Sequence, residues 1–319
     1  MVLQEASKVD RLASELGASW PNLVDARRAT RVLHERIASV ALKPPPDCSM
    51  VVFGSLAREE ATTESDVDWT LLVDGQAYPL IHYIGGESDS NSNTTRRLLL
   101  LLESSAINAA EVHTRVITQI LKRYIEEDFG FAQNTTQGIP RFLLNDISRY
   151  WRTMAVDFAY KRRERQAKGW ALRTVKLRLS RKLIYVAGLL ACYSCRRTST
   201  LGQADATERT LATVAHLEEF LRQSPLDILA DAILPHLALR GFESAARDLF
   251  ESYDAFIGLL NNSTERGALD ALKQEDAADD PRFERARQLG KRFQRGLDTV
   301  FLEPNETPLY SLTRTYGVF

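Results

Sequence analysis

The stretch VVFGSLAREEATTESDVDWTLLVDG, residues 51–75, constrains the fold of this chain more than any other segment. Gly54 and Ser55 follow a short apolar run, and ten residues separate them from Asp66 and Asp68, which open a second run. Apolar runs of this length bounded by turn residues are typical of buried strands. We therefore predict one strand that ends in a Gly-Ser turn and a second strand that carries both aspartates.

The two aspartates are separated by a single residue, and successive side chains of a strand point to opposite faces. Asp66 and Asp68 are therefore predicted to share one face, with Val67 and Trp69 on the other. Mg²⁺ prefers oxygen ligands and commonly binds one or two carboxylates together with substrate phosphates. Backbone N–H groups at a Gly-Ser turn can approach phosphates closely, and the Ser hydroxyl adds a donor. The segment predicts a site for Mg²⁺ and a nucleoside triphosphate.

This pattern of Gly-Ser, ten residues and Asp-x-Asp resembles the signature of the DNA polymerase beta-like nucleotidyltransferase superfamily. Locally it is similar to the transferase domain of PII-protein uridylyltransferases and to minimal nucleotidyltransferases. The resemblance implies Mg²⁺-dependent transfer of a nucleoside monophosphate from a nucleoside triphosphate to an acceptor hydroxyl. It also implies that Asp66 and Asp68 are the catalytic and metal-binding residues, and that Gly54 and Ser55 hold the outer phosphates.

Members of that superfamily usually continue with a helix and a third strand, which supplies another carboxylate to the metals. Here residues 76–84, QAYPLIHYI, leave room for one short strand and no helix. The nearest downstream acids, Glu87 and Asp89, lie in a Gly/Ser/Asn-rich segment that is typical of a surface turn. We take Asp89 as the candidate third metal ligand. The alternative is a degraded site in a non-catalytic, nucleotide-sensing regulatory module.

Positive charge is concentrated in residues 141–182, which hold thirteen Lys or Arg and three Asp or Glu, although the whole chain has a net charge of −1. A basic region near a metal site favours a polyanionic ligand. Within its predicted helices, Lys176 and Arg181 are the candidates for contact with the triphosphate. Most of the residues from Lys161 to Lys168 are predicted to form a solvated face.

The sequence does not identify the acceptor of the nucleoside monophosphate. A protein hydroxyl is the first choice, because the motif resembles that of the uridylyltransferases. An RNA end, a second nucleotide or a small molecule are the alternatives. If the acceptor is a nucleic acid, Tyr150, Trp151 or Tyr160 could stack on a base.

The elements together predict an α+β fold. Residues 1–138 are expected to form the nucleotidyltransferase core, a small mixed sheet with N-terminal helices. Residues 139–319 are expected to form an all-helical domain with basic helices at 141–195, a bundle at 205–302 and a tail at 303–319. A chain of 319 residues is long enough for two domains of ordinary size, and the active site is expected between them.

Composition indicates a globular protein of the cytoplasm. No run approaches the ~18 apolar residues of a membrane span, so no membrane partner is expected. The N-terminus lacks the apolar centre of a secretion signal. Three cysteines, Cys48, Cys192 and Cys195, are too few for a disulfide framework. Cys192 and Cys195 are predicted to be small apolar side chains on a helix, since a structural zinc site needs four ligands.

Two further patterns, a charged insert and an Arg-to-His spacing, allow predictions. Arg58, Glu59 and Glu60, in the insert between the two strands, are predicted to be solvated. Arg28 and His34 match the Arg-to-His spacing of helical ribonucleases that accompany minimal nucleotidyltransferases. A chain rich in helices and arginine produces that spacing by chance, so the ribonuclease is only a competing hypothesis.

Overall fold

The computed structural model describes residues 6–132, 138–164, 169–196, 205–303 and 307–317, with the backbone alone for residues 132 and 161–164. Its strands are β1 (Cys48–Phe53), β2 (Trp69–Val73) and β3 (Ser104–Ala106). The helices that precede residue 138 are α1 (Lys8–Leu16), α2 (Pro21–Val40), α3 (Tyr78–His82), α4 (Asn91–Leu102), α5 (Ala110–Glu126) and α6 (Phe129–Ala132). The later helices are α7 (Arg141–Glu164), α8 (Trp170–Lys176), α9 (Lys182–Ser194), α10 (Ala206–Leu221), α11 (Pro225–Ile233), α12 (Phe242–Asn261), α13 (Ser263–Ala271), α14 (Pro281–Leu302) and α15 (Pro308–Leu312).

The sheet has the order β2-β1-β3, and both of its pairings are antiparallel. Val52 in the central strand lies opposite Trp69 on one side and Ser105 on the other. The predicted α+β class, with a small sheet and a large helical region, is confirmed. The predicted mixed sheet is corrected to an antiparallel one.

Two local predictions after β2 are wrong. Residues 78–82 form the short helix α3 instead of a strand, and Pro79 lies in its first turn, where a missing N–H costs nothing. The third strand is β3, further along the chain than the short strand predicted at residues 76–84. Glu103, with φ −139°, leaves the helical conformation after α4, and β3 then pairs with β1. A strand of three residues is too short to show a periodic signal of its own, and β3 is stabilised by pairing with β1, which lies far away in sequence.

The N-terminal helices confirm the predicted helical start and pack on the C-terminal part of the chain. The Asp254 carboxylate in α12 accepts hydrogen bonds from the backbone N–H of Leu23 at 3.0 Å and from the Asn22 amide at 2.8 Å. Arg27 forms an ion pair with Asp227 in α11 at 2.6 Å. One hydrophobic core runs from α1 to α15 and includes the sheet face of Val51. The division into domains after residue 138 stays a prediction, and packing is continuous across it.

A widened π-helical turn, Leu177–Arg181, lies between α8 and α9, within the segment 141–195 that was predicted to form basic helices. Helix α9 is almost entirely buried, and Cys192 within it and Cys195 directly after it are fully buried. Burial raises the pKa of both thiols. This confirms that they act as small apolar side chains. Among the described helices, none is both long and apolar enough to cross a membrane.

Candidate functional site

A cleft of about 110 Å³ lies where the sheet meets α8, the π-helical turn, α12 and α13. Every predicted site residue except Asp89 lines it. The predicted residues are Gly54, Ser55, Asp66, Asp68, Lys176 and Arg181, and they are joined by Arg58, Glu60, Thr62, Ser65, Ser180, Leu260 and Arg266. Residues more than a hundred positions apart in sequence thus meet at one small polar opening. We call it the cleft below.

The Gly-Ser turn follows β1 directly. Gly54 has φ +69°, a conformation that favours glycine, and a Cβ atom at this position would lie 3.7 Å from Oδ2 of Asp68. The Ser55 hydroxyl donates to Oγ of Ser65 at 3.2 Å, and the same Oγ accepts from the backbone N–H of Thr62 at 2.9 Å. These bonds close the ends of the insert on each other. The turn and the aspartate segment are therefore held side by side.

Asp66 and Asp68 lie just before β2, which begins at Trp69, so the prediction that the strand carries both aspartates is wrong. The backbone N–H of Phe53 donates to the carbonyl of Asp68 at 2.9 Å, which extends the strand pairing without a regular strand. Both side chains are exposed. Within the described ranges neither carboxylate has an ion pair or a hydrogen bond. Two exposed carboxylates beside the Gly-Ser turn fit the oxygen ligands that Mg²⁺ takes.

The opposite wall of the cleft is cationic. Burial lowers the pKa of Lys176, and the neighbouring charges of Arg266, Arg181 and Arg58 lower it further, against the opposing effect of Asp66. The three neighbouring arginine charges make the surroundings of Lys176 positive, which favours the binding of an anion. Arg266 in α13 also donates to the backbone carbonyl of Glu64, which ties the helical wall to the insert.

The π-helical turn explains why Lys176, Ser180 and Arg181 face the cleft together. All three line it although they lie four and five positions apart. In a π-helical turn, residue i bonds to residue i+5, so positions five apart are stacked more closely than in an α-helix. π-Helical turns of this kind are frequent at functional sites.

Glu103, at the junction of α4 and β3, forms the centre of a buried network behind the cleft. Its side chain is fully buried and accepts from Nη1 of Arg58 at 2.6 Å, from Nη1 of Arg181 at 2.8 Å and from the Tyr150 hydroxyl at 2.9 Å. The network fixes the Arg181 guanidinium, which lines the cleft. The pKa of Tyr150 is raised, mainly because the residue is buried and also because the negative charge of Glu103 lies beside it.

Arg58 and Glu60 correct the prediction of a solvated insert, because they are only 6% and 3% exposed. Nε of Arg58 donates to Oε2 of Glu60 at 3.0 Å, and the Tyr253 hydroxyl of α12 donates to Oε1 at 2.7 Å. Burial alone would lower the pKa of Arg58, but the carboxylates of Glu60 and Glu103 outweigh it and raise the pKa. Glu59 is exposed, as predicted.

Asp89 lies outside the cleft. Its carboxylate forms a two-point ion pair with Arg97, with N–O distances of 3.1 and 2.7 Å. Arg97 is fully buried and also binds Asp146 at 2.9 Å and the Tyr124 hydroxyl at 2.6 Å. This ion pair ties Asp89 to α4 and leaves its carboxylate outside the lining of the cleft. Within the part of the chain that the structure describes, no group of three or more His, Cys, Asp or Glu side chains is arranged to hold a metal ion.

The remaining sequence predictions fall outside the cleft. Tyr150 is buried in the Glu103 network, Trp151 stacks on Tyr185 with ring centroids 5.6 Å apart, and Tyr160 is exposed on α7. The side chains of residues 161–168 lie outside the described part. His34 contacts the carbonyl of Leu56 through Nε2 at 3.3 Å, and exposed Arg28 pairs with Asp25.

Sequence reasoning missed seven lining residues, namely Arg58, Glu60, Thr62, Ser65, Ser180, Leu260 and Arg266. Ser65 and Arg58 lie inside the motif itself, so the local sequence contains a signal for them. Arg266 lies in a helix with acidic neighbours, and nothing in its local sequence distinguishes it from a surface arginine.

Comparison with known families agrees with this location. Residues 4–84, about a quarter of the chain, match a family model described as "Putative nucleotidyltransferase DUF294". The matched segment contains the Gly-Ser turn and both aspartates of the cleft, and it supports nucleotidyl transfer as the general kind of activity. Neither the curated proteins nor the solved structures gave a significant match to the chain.

Proposed function

We propose that this protein is an Mg²⁺-dependent nucleotidyltransferase that moves a nucleoside monophosphate from a nucleoside triphosphate to an acceptor hydroxyl. The observation that carries the proposal is the cleft itself. It places two carboxylates without described partners, a Gly-Ser turn and the cationic side chains of Lys176, Arg181 and Arg266 around one opening. The family match over residues 4–84 supports the general activity.

In this proposal Asp66 and Asp68 hold Mg²⁺, and Gly54 and Ser55 bind the outer phosphates through backbone N–H groups and the Ser hydroxyl. When bound, Mg²⁺ neutralises phosphate charge and polarises phosphoryl oxygens. Lys176 and Arg181 orient the triphosphate from the helical wall. The acceptor oxygen forms a bond to the α-phosphorus, the bond to the β-phosphate oxygen breaks, pyrophosphate leaves, and the hydroxyl proton passes to solvent.

A protein hydroxyl is the proposed acceptor, and its support is the resemblance of the motif to that of the uridylyltransferases. An RNA end, a second nucleotide or a small metabolite are outcomes that the experiment below distinguishes. A cytoplasmic location stays a prediction that rests on the composition and the few cysteines.

One observation favours a second candidate, a nucleotide sensor that binds without transferring. Glu103 is the acid that adjoins the third strand, and both of its carboxylate oxygens are bonded to side chains of the protein, namely Arg58, Arg181 and Tyr150. A site with two available carboxylates can bind Mg²⁺ and a triphosphate, and still be slow at transfer. Tight Mg²⁺-dependent binding with no transfer to any acceptor would favour the sensor.

The test incubates the purified protein with Mg²⁺ and each α-labelled nucleoside triphosphate, with cell extract as the source of acceptors. Label is expected on a protein, and its appearance on RNA or a small molecule would reassign the acceptor. The double variant D66A/D68A is expected to lose the labelling. Glu64→Ala, which removes an exposed acid two positions earlier, is the matched control and is expected to label normally. Equal labelling by the double variant would refute the catalytic assignment.

A further inference from the structure

A second cavity, of about 640 Å³, adjoins the cleft between α4, α7, α8 and the π-helical turn. We call it the helical chamber. Lys176 and Arg181 line both the chamber and the cleft, so the two spaces meet at these cations. Resting on the function proposed above, we propose that the helical chamber holds the nucleoside of the substrate, while the cleft holds its triphosphate.

Size is the first argument. Pockets for small molecules and cofactors typically measure about 300–1,000 Å³. The cleft, at about 110 Å³, is too small for a whole nucleoside triphosphate, whereas the chamber, at about 640 Å³, lies within that range. The substrate must extend beyond the cleft, and the chamber is a neighbouring space bounded by residues of the cleft itself.

The chemistry of the lining is the second argument. Leu99, Met154, Phe158 and Leu177 give the chamber apolar surface from three helical segments, and all four are half-buried. A base presents flat apolar faces and polar edges, which suits apolar walls with a few hydrogen-bonding groups. The hydroxyls of Thr95 and Thr153 line the same chamber, and within the described residues neither has a hydrogen-bond partner.

The position of Lys176 and Arg181 is the third argument. In a nucleoside triphosphate the α-phosphate lies between the ribose and the outer phosphates. Cations shared by the chamber and the cleft are therefore placed to contact the α-phosphate. Arg181 is held in this position by Glu103, which is bonded in turn to Tyr150, another lining residue of the chamber.

The test separates the two spaces by comparing Mg²⁺-bound nucleoside triphosphates with Mg²⁺-bound tripolyphosphate, which has no nucleoside, by calorimetry. The unmodified protein is expected to bind its preferred nucleoside triphosphate at least about tenfold more tightly than tripolyphosphate. Thr153→Trp and Thr95→Trp each fill the chamber. Both variants are expected to bind the nucleoside triphosphate no more tightly than tripolyphosphate, while their affinity for tripolyphosphate stays within about twofold of that of the unmodified protein. The control is Val156→Trp, on the exposed face of the same helix α7, which is expected to change neither affinity.

If Thr153→Trp and Thr95→Trp both kept the full preference for the nucleoside triphosphate over tripolyphosphate, the assignment of the chamber to the nucleoside would be overturned. So would unchanged nucleotide binding with loss of transfer, because the chamber would then hold the acceptor. Failure of the unmodified protein to bind any of these ligands would instead refute the proposed function. A second measurement needs no variant: a triphosphate with a photoreactive azide on its base is expected to cross-link to residues 91–99 or 150–158. Cross-linking confined to other segments would contradict the assignment.

Discussion

Asp66 and Asp68 differ from Glu60, the third acid that lines the cleft, in the partners of their carboxylates. Glu60 is buried and bonded to Arg58 and Tyr253. The two aspartates are exposed and have no ionic partner among the described residues, although Lys176 and Arg266 line the same cleft. Acids kept apart from nearby cations are available to an external cation, whereas paired acids stabilise the fold.

We expect Asp68→Asn to weaken Mg²⁺-dependent binding of a nucleoside triphosphate by at least about tenfold, because the amide removes one anionic ligand at nearly constant shape. Isothermal titration calorimetry with and without Mg²⁺ measures this change. Glu64→Gln, an exposed acid of the same segment, serves as the control. If Asp68→Asn bound the nucleotide as tightly as the unmodified protein, Asp68 would have no role in holding the cation.

A substitution of Asp89 is expected to change the stability of the protein and not its affinity for nucleotide. Asp89→Asn should lower the free energy of unfolding by about 1–3 kcal/mol, because the fully buried Arg97 loses one of its two charged partners and keeps Asp146. Nucleotide affinity should be unchanged, since the residue lies outside the cleft. Urea denaturation and calorimetry on the same preparation measure the two quantities. A loss of Mg²⁺-dependent binding without a loss of stability would restore Asp89 as a metal ligand.

At the scale of elements, caps and turns decide where side chains face. The π-helical turn after α8 brings Lys176 and Arg181 to one side. At the start of α14, Asp280 caps the helix by accepting from the backbone N–H groups of Arg282 and Phe283 at 2.8 and 3.0 Å. The Arg282 guanidinium and these N–H groups outweigh burial and lower the pKa of Asp280 to about 2.

We expect Asp280→Ala to cost about 1 kcal/mol of stability at neutral pH, which is the usual contribution of an N-cap. A lowered pKa in the folded state means that the stabilisation is present above pH 4, close to the ordinary pKa of 3.8. It should disappear as the pH falls toward about 2 and the carboxyl is protonated. Urea denaturation across this range measures the difference. Asp279→Ala, at an exposed neighbour, should show no such pH dependence, and a pH-independent loss for Asp280→Ala would contradict the prediction.

At the scale of the whole molecule, the sheet and the helices share one buried framework. Helices α1 and α2 are bonded to α11 and α12 through Asp227 and Asp254. Arg58, Glu60 and Glu103 connect the insert after β1 to α7, α12 and the π-helical turn. The cleft is therefore formed between parts of the chain that stabilise each other.

A fragment of residues 1–138 is accordingly expected to remain unfolded or only loosely ordered. Its helices would expose the apolar side chains that pack on α11 and α12, and three strands bury too little surface alone. A proton–nitrogen correlation spectrum of the fragment should lack dispersed signals, whereas the full chain should give them. A dispersed, cooperatively melting fragment would show that residues 1–138 are an independent domain.

Local sequence was sufficient to predict several elements of the fold. The strand before Gly54, the helices of the first forty residues and the burial of Cys192 and Cys195 follow from apolar patterns that each segment contains within itself. The helix at residues 78–82 and the strand at residues 104–106 do not. Both segments are short, and their conformation depends on packing and strand pairing with distant residues.

The candidate site was likewise predictable from the sequence only in part. The order and spacing of Gly54, Ser55, Asp66 and Asp68 predict a metal and triphosphate site from the chain alone, because all four residues lie in one short segment and belong to one motif. Only the tertiary structure decides which cations face them, that Asp89 is bonded to Arg97, and that Glu103 holds Arg181. These choices are contacts between residues far apart along the chain, and such contacts are set by packing of the whole fold.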